Sequence, residues 1–425
     1  VNADGFSDLL QTSGNTGLQW AIYLNNGASG FVYDSTWVKP AANVNFNTSI
    51  VTDVNGDSLV DIINGGIATI GTDDRATYIN NGIDGWIPSG QWKPPVYFNR
   101  YSGDSEVRLT DVNADGLVDI VHAFGDFRFS NSSVTQEIYL NTGSGWQQST
   151  TWTLPNNFYF LHVEGYGISY PGFGEMMDVN GDGLPDIVQY DKNQRGFGPG
   201  IYLNNGNGGW DQSVMYTVPA VLVERQNKYT TYGDFNTDGF IDFAISERTT
   251  DVVNEVYLNN GTNGWALATN WQTPTIFWEL FNSATDKGVR EGDINGDGLS
   301  DFIQSTDNTQ ALYAGNPAYP DILSKVAYSE GGNTELAYTP STKHTNTKAP
   351  FVLQTIASAT TSDALGTSIT TNYAYDNGYY HKDPTDPRKN AFTGFQRVTT
   401  TDAKGNITKR YFHQGEGSAD GSGQG

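Results

Sequence analysis

Six segments of this chain place oxygen-bearing side chains at the same offsets. Asp stands at positions 1, 5 and 9, Asn at position 3, and Gly at position 6 in five of the six copies. The copies occupy residues 1–8, 53–61, 111–119, 178–186, 234–242 and 293–301, the first starting at its second position. Calcium is a hard cation that takes six to eight oxygens at ~2.3–2.6 Å, and short acidic loops supply them. Side chains at positions 1, 3 and 5 converge from one side of a tight loop. The position-7 carbonyl and the position-9 carboxylate then close the shell. The expected ligands are Asn2, Asp4, the Phe6 carbonyl and Asp8 in the first loop, and Asp53, Asn55, Asp57, the Leu59 carbonyl and Asp61 in the second. The third supplies Asp111, Asn113, Asp115, the Leu117 carbonyl and Asp119, and the fourth Asp178, Asn180, Asp182, the Leu184 carbonyl and Asp186. The fifth supplies Asp234, Asn236, Asp238, the Phe240 carbonyl and Asp242, and the sixth Asp293, Asn295, Asp297, the Leu299 carbonyl and Asp301. One Ca2+ per loop, five or six in all, is the expectation. Asp, Asn and Gly also make good turns, but a turn does not require three carboxylates at fixed offsets. Position 6 needs a positive φ; Ser58 stands there in the second copy, so that loop is expected to be weaker. An EF-hand requires Glu at position 12 and flanking helices, whereas position 12 here is Asn64, His122, Gln189, Ile245 or Gln304. Dockerin-type loops come as a close pair leading into helices, which this spacing does not match.

The elements that hold these loops repeat too. Complete copies follow one another at intervals of 58, 67, 56 and 59 residues. After each loop comes an apolar pair such as Ile62-Ile63 or Ile187-Val188, then a Tyr-led motif with an Asn-Gly turn at Tyr23, Tyr78, Tyr139, Tyr202 and Tyr257, degraded at Tyr313. Gly-Trp follows at Trp86, Trp146, Trp210 and Trp265, and an aromatic-to-Pro marker closes the unit at Trp37, Trp92, Trp152, Tyr216 and Trp271. Short strands with Asn-Gly turns read as antiparallel β. About four strands in a unit of this length fit propeller blades. The fold expected is all-β: a β-propeller of six blades, with seven left open, followed by an antiparallel β-strand segment. No segment sustains a 3.6-residue period. The Gly-Trp positions suit either sugar-binding platforms or blade packing, and packing is the reading a repeated core favours.

Composition narrows the function. The chain has 425 residues, 23 Lys plus Arg against 47 Asp plus Glu, and a formal charge of −24. That excludes nucleic acid and anionic membrane surfaces as partners, because phosphate binding needs basic patches. With no Cys there are no disulfides, zinc thiolates or cysteine nucleophiles. No run of 18 apolar residues occurs, so membrane insertion is not expected. No signal peptide is visible, and a start inside a loop leads us to expect a piece of a longer polypeptide. The five His (His122, His162, His344, His381, His413) are scattered, and no HExxH, GxSxG or P-loop spacing occurs. No catalytic residue is expected.

The loop D-x-N-x-D-G-x-x-D followed by strand pairs resembles the FG-GAP/VCBS repeat of integrin-type propellers over residues 1–315. That resemblance implies a secreted or surface propeller with calcium on one face. After Pro320 the repeat stops. The expected strands are 322–328, 334–338, 351–356, 367–375, 395–401 and 407–412, with turns at Gly331-Gly332-Asn333, 363–366, Asp376-Asn377-Gly378 and Lys404-Gly405-Asn406. DILSKVAYSEGGNTELAYTPST (321–342) and FTGFQRVTTTDAKGNITKRYFHQ (392–414) resemble the RHS/YD shell region of toxin-complex B components and SpvB-like proteins. The resemblance implies a bacterial, secreted or cell-surface protein in which a propeller precedes a large β-shell. The domains expected are a propeller at 1–320, an RHS-like strand region at 321–414 and a flexible Gly/Ser-rich tail at 415–425. The function expected is a non-catalytic, calcium-stabilised scaffold that docks a protein partner or the remainder of an RHS-like polypeptide. The alternative is an adhesin or lectin binding a glycan.

Overall fold

A computed structural model of the chain describes its residues except 13–19, 28–29, 41–43, 45–47, 68–72, 100–105, 128–132, 157, 165–167, 171–173, 191–197, 226–229, 249–251, 280–284, 307–308, 316–321, 346–348, 364, 384–385 and 415–425. The expected tail at 415–425 lies outside the described residues. Nearly everything described is β-structure. Six small antiparallel sheets follow one another, each built around one loop, and a separate six-stranded sheet ends the chain.

The second sheet shows the plan. Ser49–Thr52 runs into the loop, Asp61–Asn64 leaves it, and Ala76–Asn80 and Trp86–Ser89 complete the blade. The acidic loop therefore joins the first and second strands of a blade, so each unit begins one strand earlier than the repeat suggests. Gly174–Met177, Asp186–Gln189, Gly200–Asn204 and Trp210–Gln212 repeat the plan in the fourth blade. The third and fifth blades add a pair of short strands, the inner member running parallel to the second strand. The first and sixth blades have three described strands each. Apolar residues on the second strands are fully buried, among them Ile62, Ile120, Ile187 and Phe243. They pack against the neighbouring blade, so the cores lie in the seams.

The aromatic-to-Pro markers form no strands of their own. They are irregular segments that cross to the next blade: Val38 N–H donates to Asp84 O at 2.6 Å and Thr153 N–H to Gly208 O at 2.9 Å. Proline cannot donate to a ladder, and here it ends a covering segment. One short helix, Ala220–Arg225, follows Pro219; at six residues it is too brief to leave a period.

Five of the six blades are tied to the one before by an asparagine. Asn80 Nδ2 donates to Val1 O at 2.9 Å, Asn141 to Val54 O at 2.8 Å, Asn204 to Val112 O at 3.0 Å and Asn259 to Val179 O at 2.8 Å. Every acceptor is the position-2 carbonyl of the preceding loop. Asn25 of the first blade donates to Ile294 O of the sixth at 2.6 Å. Together with Ser7 N–H on Asp293 O, that bond closes the ring at six blades rather than seven. The sixth blade has Gly315 where the others have Asn, and at that seam Phe235, Trp271, Phe302 and Tyr313 line a cavity of about 160 Å³.

The C-terminal sheet runs in chain order through Lys325–Ala327, Asn333–Pro340, Gln354–Ser362, Ser368–His381, Ala391–Thr401 and Ile407–Tyr411. All six expected strands form. Asp376-Asn377-Gly378 lies inside one 14-residue strand rather than forming a turn, with Asn377 at φ 53°, and the register shifts just beyond it, between Gly378 and Tyr380.

Asn204→Ala would leave the buried Val112 carbonyl without its partner. An unpaired buried acceptor costs ~1–3 kcal/mol, so the denaturant midpoint of the variant should fall accordingly. An unchanged midpoint would show that the asparagine ties carry no load.

Candidate metal centre

Within each loop the side chains fold inward onto the backbone. Asp53 Oδ1 accepts from Gly56 and Asp57 N–H, and Oδ2 from Ser58 N–H at 2.6 Å. Asp178 and Asp293 make the same three bonds, and Asp111 and Asp234 accept from positions 5 and 6. The position-3 amide oxygen of Asn2, Asn55, Asn113, Asn180, Asn236 and Asn295 takes the position-5 N–H. The position-5 carboxylate of Asp4, Asp57, Asp115, Asp182, Asp238 and Asp297 takes the position-7 N–H. Positions 1, 3 and 5 thus each bond to backbone N–H groups of their own loop.

Position 9 differs from the sequence reading. Asp61, Asp119, Asp186, Asp242 and Asp301 are 0% exposed. One oxygen of each accepts the position-2 N–H and the other the N–H of the residue at the Asn position of the Tyr-led strand: Asp119 holds Val112 at 3.0 Å and Asn141 at 2.7 Å. Asp61, Asp186, Asp242 and Asp301 make equivalent pairs. In the first loop Asp8 binds the Val1 amino group and Asn25 N–H. Position 7 also does something the sequence did not reveal. Phe6 packs on Gly296 of the preceding loop and on Gly27 of its own turn, and Phe240 on Gly181 and Gly261 in the same way.

The backbone bears out the glycine argument and extends it. Position 6 has positive φ throughout, from Gly5 at 91° to Ser58 at 65°. Position 4 does too: Gly56, Gly181 and Gly296, but also Ala3, Ala114 and Thr237 at 56° to 60°. A non-glycine residue held there costs on the order of 1 kcal/mol.

Electrostatically the loops are unsettled. Burial, with nearby Asp57 and Asp53 adding to it, lifts Asp61 to about 7. Burial likewise raises Asp119, Asp186 and Asp242 to about 7, and Asp53 to about 6. Anionic oxygens gathered without a counter-charge suit a divalent cation, which supplies the missing charge. Positions 1, 3 and 5 would hold it, with position 9 behind them. Among the described residues no three His, Asp or Glu side chains stand at the spacing of a formed metal site; the loop oxygens are turned onto backbone N–H groups.

Elsewhere the polar core holds a triad that the sequence concealed. His122 is buried between Glu106, 3.1 Å from Nε2, and Glu137, 3.0 Å from Nδ1. Nothing in the sequence spacing pointed to Glu106 as its partner. The repeated tryptophans are packed rather than displayed. Trp86 Nε1 donates to Val60 O, Trp146 to Trp92 O, Trp210 to Pro185 O and Trp265 to Ile241 O.

Two outcomes follow from this geometry. Ser58→Gly removes a positive-φ penalty and should tighten calcium binding at the second loop in a calorimetric titration; weaker binding would show that the loop is misread. Burial pulls the His122 pKa down, but the bonds to Glu106 and Glu137 outweigh it and leave it raised. A raised imidazole stabilises the fold below its unfolded pKa, and that stability is lost as pH rises through the folded value. His122→Gln should therefore cost most in denaturant melts below about pH 6.5 and progressively less above. A penalty that does not vary with pH would show that no proton is held there.

Comparison with known proteins agrees with the geometry. Residues 260–415 match the family model "Insecticide toxin TcdB middle/N-terminal region", and residues 178–245 match "FG-GAP-like repeat". The first match begins in the fifth blade, well before the C-terminal motifs. Among solved structures, the Tc holotoxin pore of Photorhabdus luminescens superposes with a TM-score of 0.62 at 18% identity, covering 97% of this chain and 18% of that one. A T-cell immunomodulatory protein homolog of Plasmodium falciparum is 30% identical over 154 residues, and that of Plasmodium yoelii yoelii 28%. The chain covers 35% of its own length in these matches and spans about a fifth of those relatives. The chain is thus similar to FG-GAP-like repeat proteins in its propeller and to toxin-complex TcdB proteins from its fifth blade onward, the two resemblances its loops and its C-terminal motifs carry.

Proposed function

We propose that the chain is a non-catalytic, calcium-stabilised scaffold, the propeller and shell-entry portion of a larger, secreted, bacterial toxin-complex-like protein. The observation that carries this reading is the seat of the C-terminal sheet on the loop face. Asn390 donates to Gly56 O of the second loop, and Thr342 and Gln354 donate to Gly296 O and Asp297 O of the sixth. Arg388 stands 3.9 Å from Asp115 of the third. Residues 321–414 are thereby held by loops of the unit formed by residues 1–320. The acceptors are loop carbonyls at positions 4 and 5, so ions that fix the loops would also fix the sheet. Among the described residues no helix is long and apolar enough to cross a membrane.

The glycan alternative drew on the repeated tryptophans, whose indole N–H groups are spent on backbone carbonyls. We infer that the platform serves protein rather than sugar.

A ligand that binds only the folded state adds RT ln(1 + [L]/Kd), about 2.7 kcal/mol per site at a hundredfold excess. EDTA should lower the melting temperature by many degrees and expose the segment around Arg388 to protease. Calcium should reverse both, and magnesium should do so less well. A melting temperature and a cleavage pattern indifferent to chelation would remove the calcium part of the proposal.

A further inference from the structure

Five seams of the ring share one device. An aromatic-x-x-Pro or similar segment leaves one blade and covers the Tyr face of the next. Trp37 lies 5.3 Å from Trp86, Trp92 5.8 Å from Trp146, and Trp152 5.4 Å from Trp210, ring centre to ring centre. Tyr216 donates its hydroxyl to Gly261 O at 2.8 Å, and Trp271 packs with Phe302 of the sixth blade. Beneath such segments Tyr78 and Tyr202 are buried.

The seam between the sixth and first blades is different. The sixth blade has no described strand after Gln310–Tyr313, and among the described residues no aromatic-to-Pro segment lies against the first blade. The matching face there carries Tyr23 paired with Tyr33 in register, ring centres 5.7 Å apart. Tyr33 is 56% exposed. Gln11, Trp20, Tyr23, Tyr33, Trp37 and Lys39 line an open recess of about 510 Å³ at this blade. Repetition does not account for these rings. Trp20 packs edge-on against Trp86 of the second blade, ring centres 5.4 Å apart, but Tyr33 stands where the next four blades have Pro88, Gln148, Gln212 and Leu267. Tyr33 thus adds aromatic surface at a face that no aromatic-to-Pro segment among the described residues covers.

We propose that this recess docks an extended aromatic-x-x-proline segment of a partner polypeptide, seated as the chain's own five segments seat on the blades that follow them. The interface continues a series already present in the ring, which fixes the chemistry of the occupant. An aromatic ring packs on the exposed Tyr33 ring, beside its contact with Tyr23. Proline limits the freedom the segment loses on binding, and Gln11 and Lys39 offer an amide and an ammonium to its backbone and to a flanking carboxylate. Aromatic anchors in such recesses dominate binding energy. The proposal gives a site to the docking role inferred above and rests on that reading only in treating the ring as a platform.

The test uses a labelled peptide with the sequence of residues 268–276, Ala-Thr-Asn-Trp-Gln-Thr-Pro-Thr-Ile, titrated with the full chain in calcium and followed by fluorescence anisotropy. Saturable binding is expected. It should weaken by at least ~tenfold in Tyr33→Ala, a surface change, and vanish when the Trp and Pro of the peptide are replaced by Ala. Absence of saturable binding, or equal binding by Tyr33→Ala, overturns the proposal. Binding that emerges only in Tyr319→Ala also overturns it, since the chain's own residues 316–321 would then be the occupant. The chain is melted in the same buffer. A chain that melts normally yet binds no peptide fails this proposal and leaves the scaffold reading intact.

Discussion

A buried aspartate with both oxygens committed to backbone N–H groups stands at the centre of every blade, and the remainder of the ring is arranged around it. Asp119 is representative: one oxygen closes its own loop on Val112, the other holds Asn141 of the Tyr-led strand. The same asparagine then reaches Val54 in the preceding blade. A single carboxylate thereby fixes the loop, the strand beside it and, through the asparagine, the angle to the neighbour. Such a charge is costly to bury, and burial pushes Asp119 to about 7. Two charge-assisted bonds per carboxylate offset part of that cost; the proposed cation would offset much of the rest.

Placing the loops between first and second strands puts all six on one face, and that face is where the C-terminal sheet sits. Its hydrogen bonds and ion pair to the loops come from Asn390, Thr342, Gln354 and Arg388, and Val352 packs beside Gly298 of the sixth loop. Its last strand, Ile407–Tyr411, is exposed at every residue, and a sheet edge of that kind ordinarily pairs with another strand. The net charge is also unevenly divided: residues 1–320 hold 13 basic against 37 acidic side chains, and residues 321–425 hold 10 of each. The whole formal charge of −24 therefore lies on the ring, where the loops are.

Much of this was legible because repetition multiplies a weak signal. One Asp-rich turn says little, but six at matched offsets gave the loops and the repeat of the blades. What escaped was non-local or chemically ambiguous. The repeated Asn of Asn80, Asn141, Asn204 and Asn259 looked like half of an Asn-Gly turn, because its partner lies some 80 to 90 residues away. Position 4 holds Ala, Gly and Thr, so its shared positive φ has no compositional mark. Asp376-Asn377-Gly378 carries the chemistry of a hairpin turn, and pairing with Ala391–Thr401 on both sides of it keeps it within the strand instead. Position 9 was read as closing the calcium shell, and its bond to the strand was hidden because that partner lies 14 to 22 residues downstream.

The claim on which the account turns is that the loops hold calcium. Crystals of the chain grown with calcium, measured at a long X-ray wavelength, would reveal calcium by its anomalous scattering. The account predicts five or six anomalous peaks, each within ~2.3–2.6 Å of the position-1, 3 and 5 oxygens of a loop. Loops that remain closed on their own N–H groups, with no anomalous peak beside Asp111, Asp178 or Asp293, would contradict it.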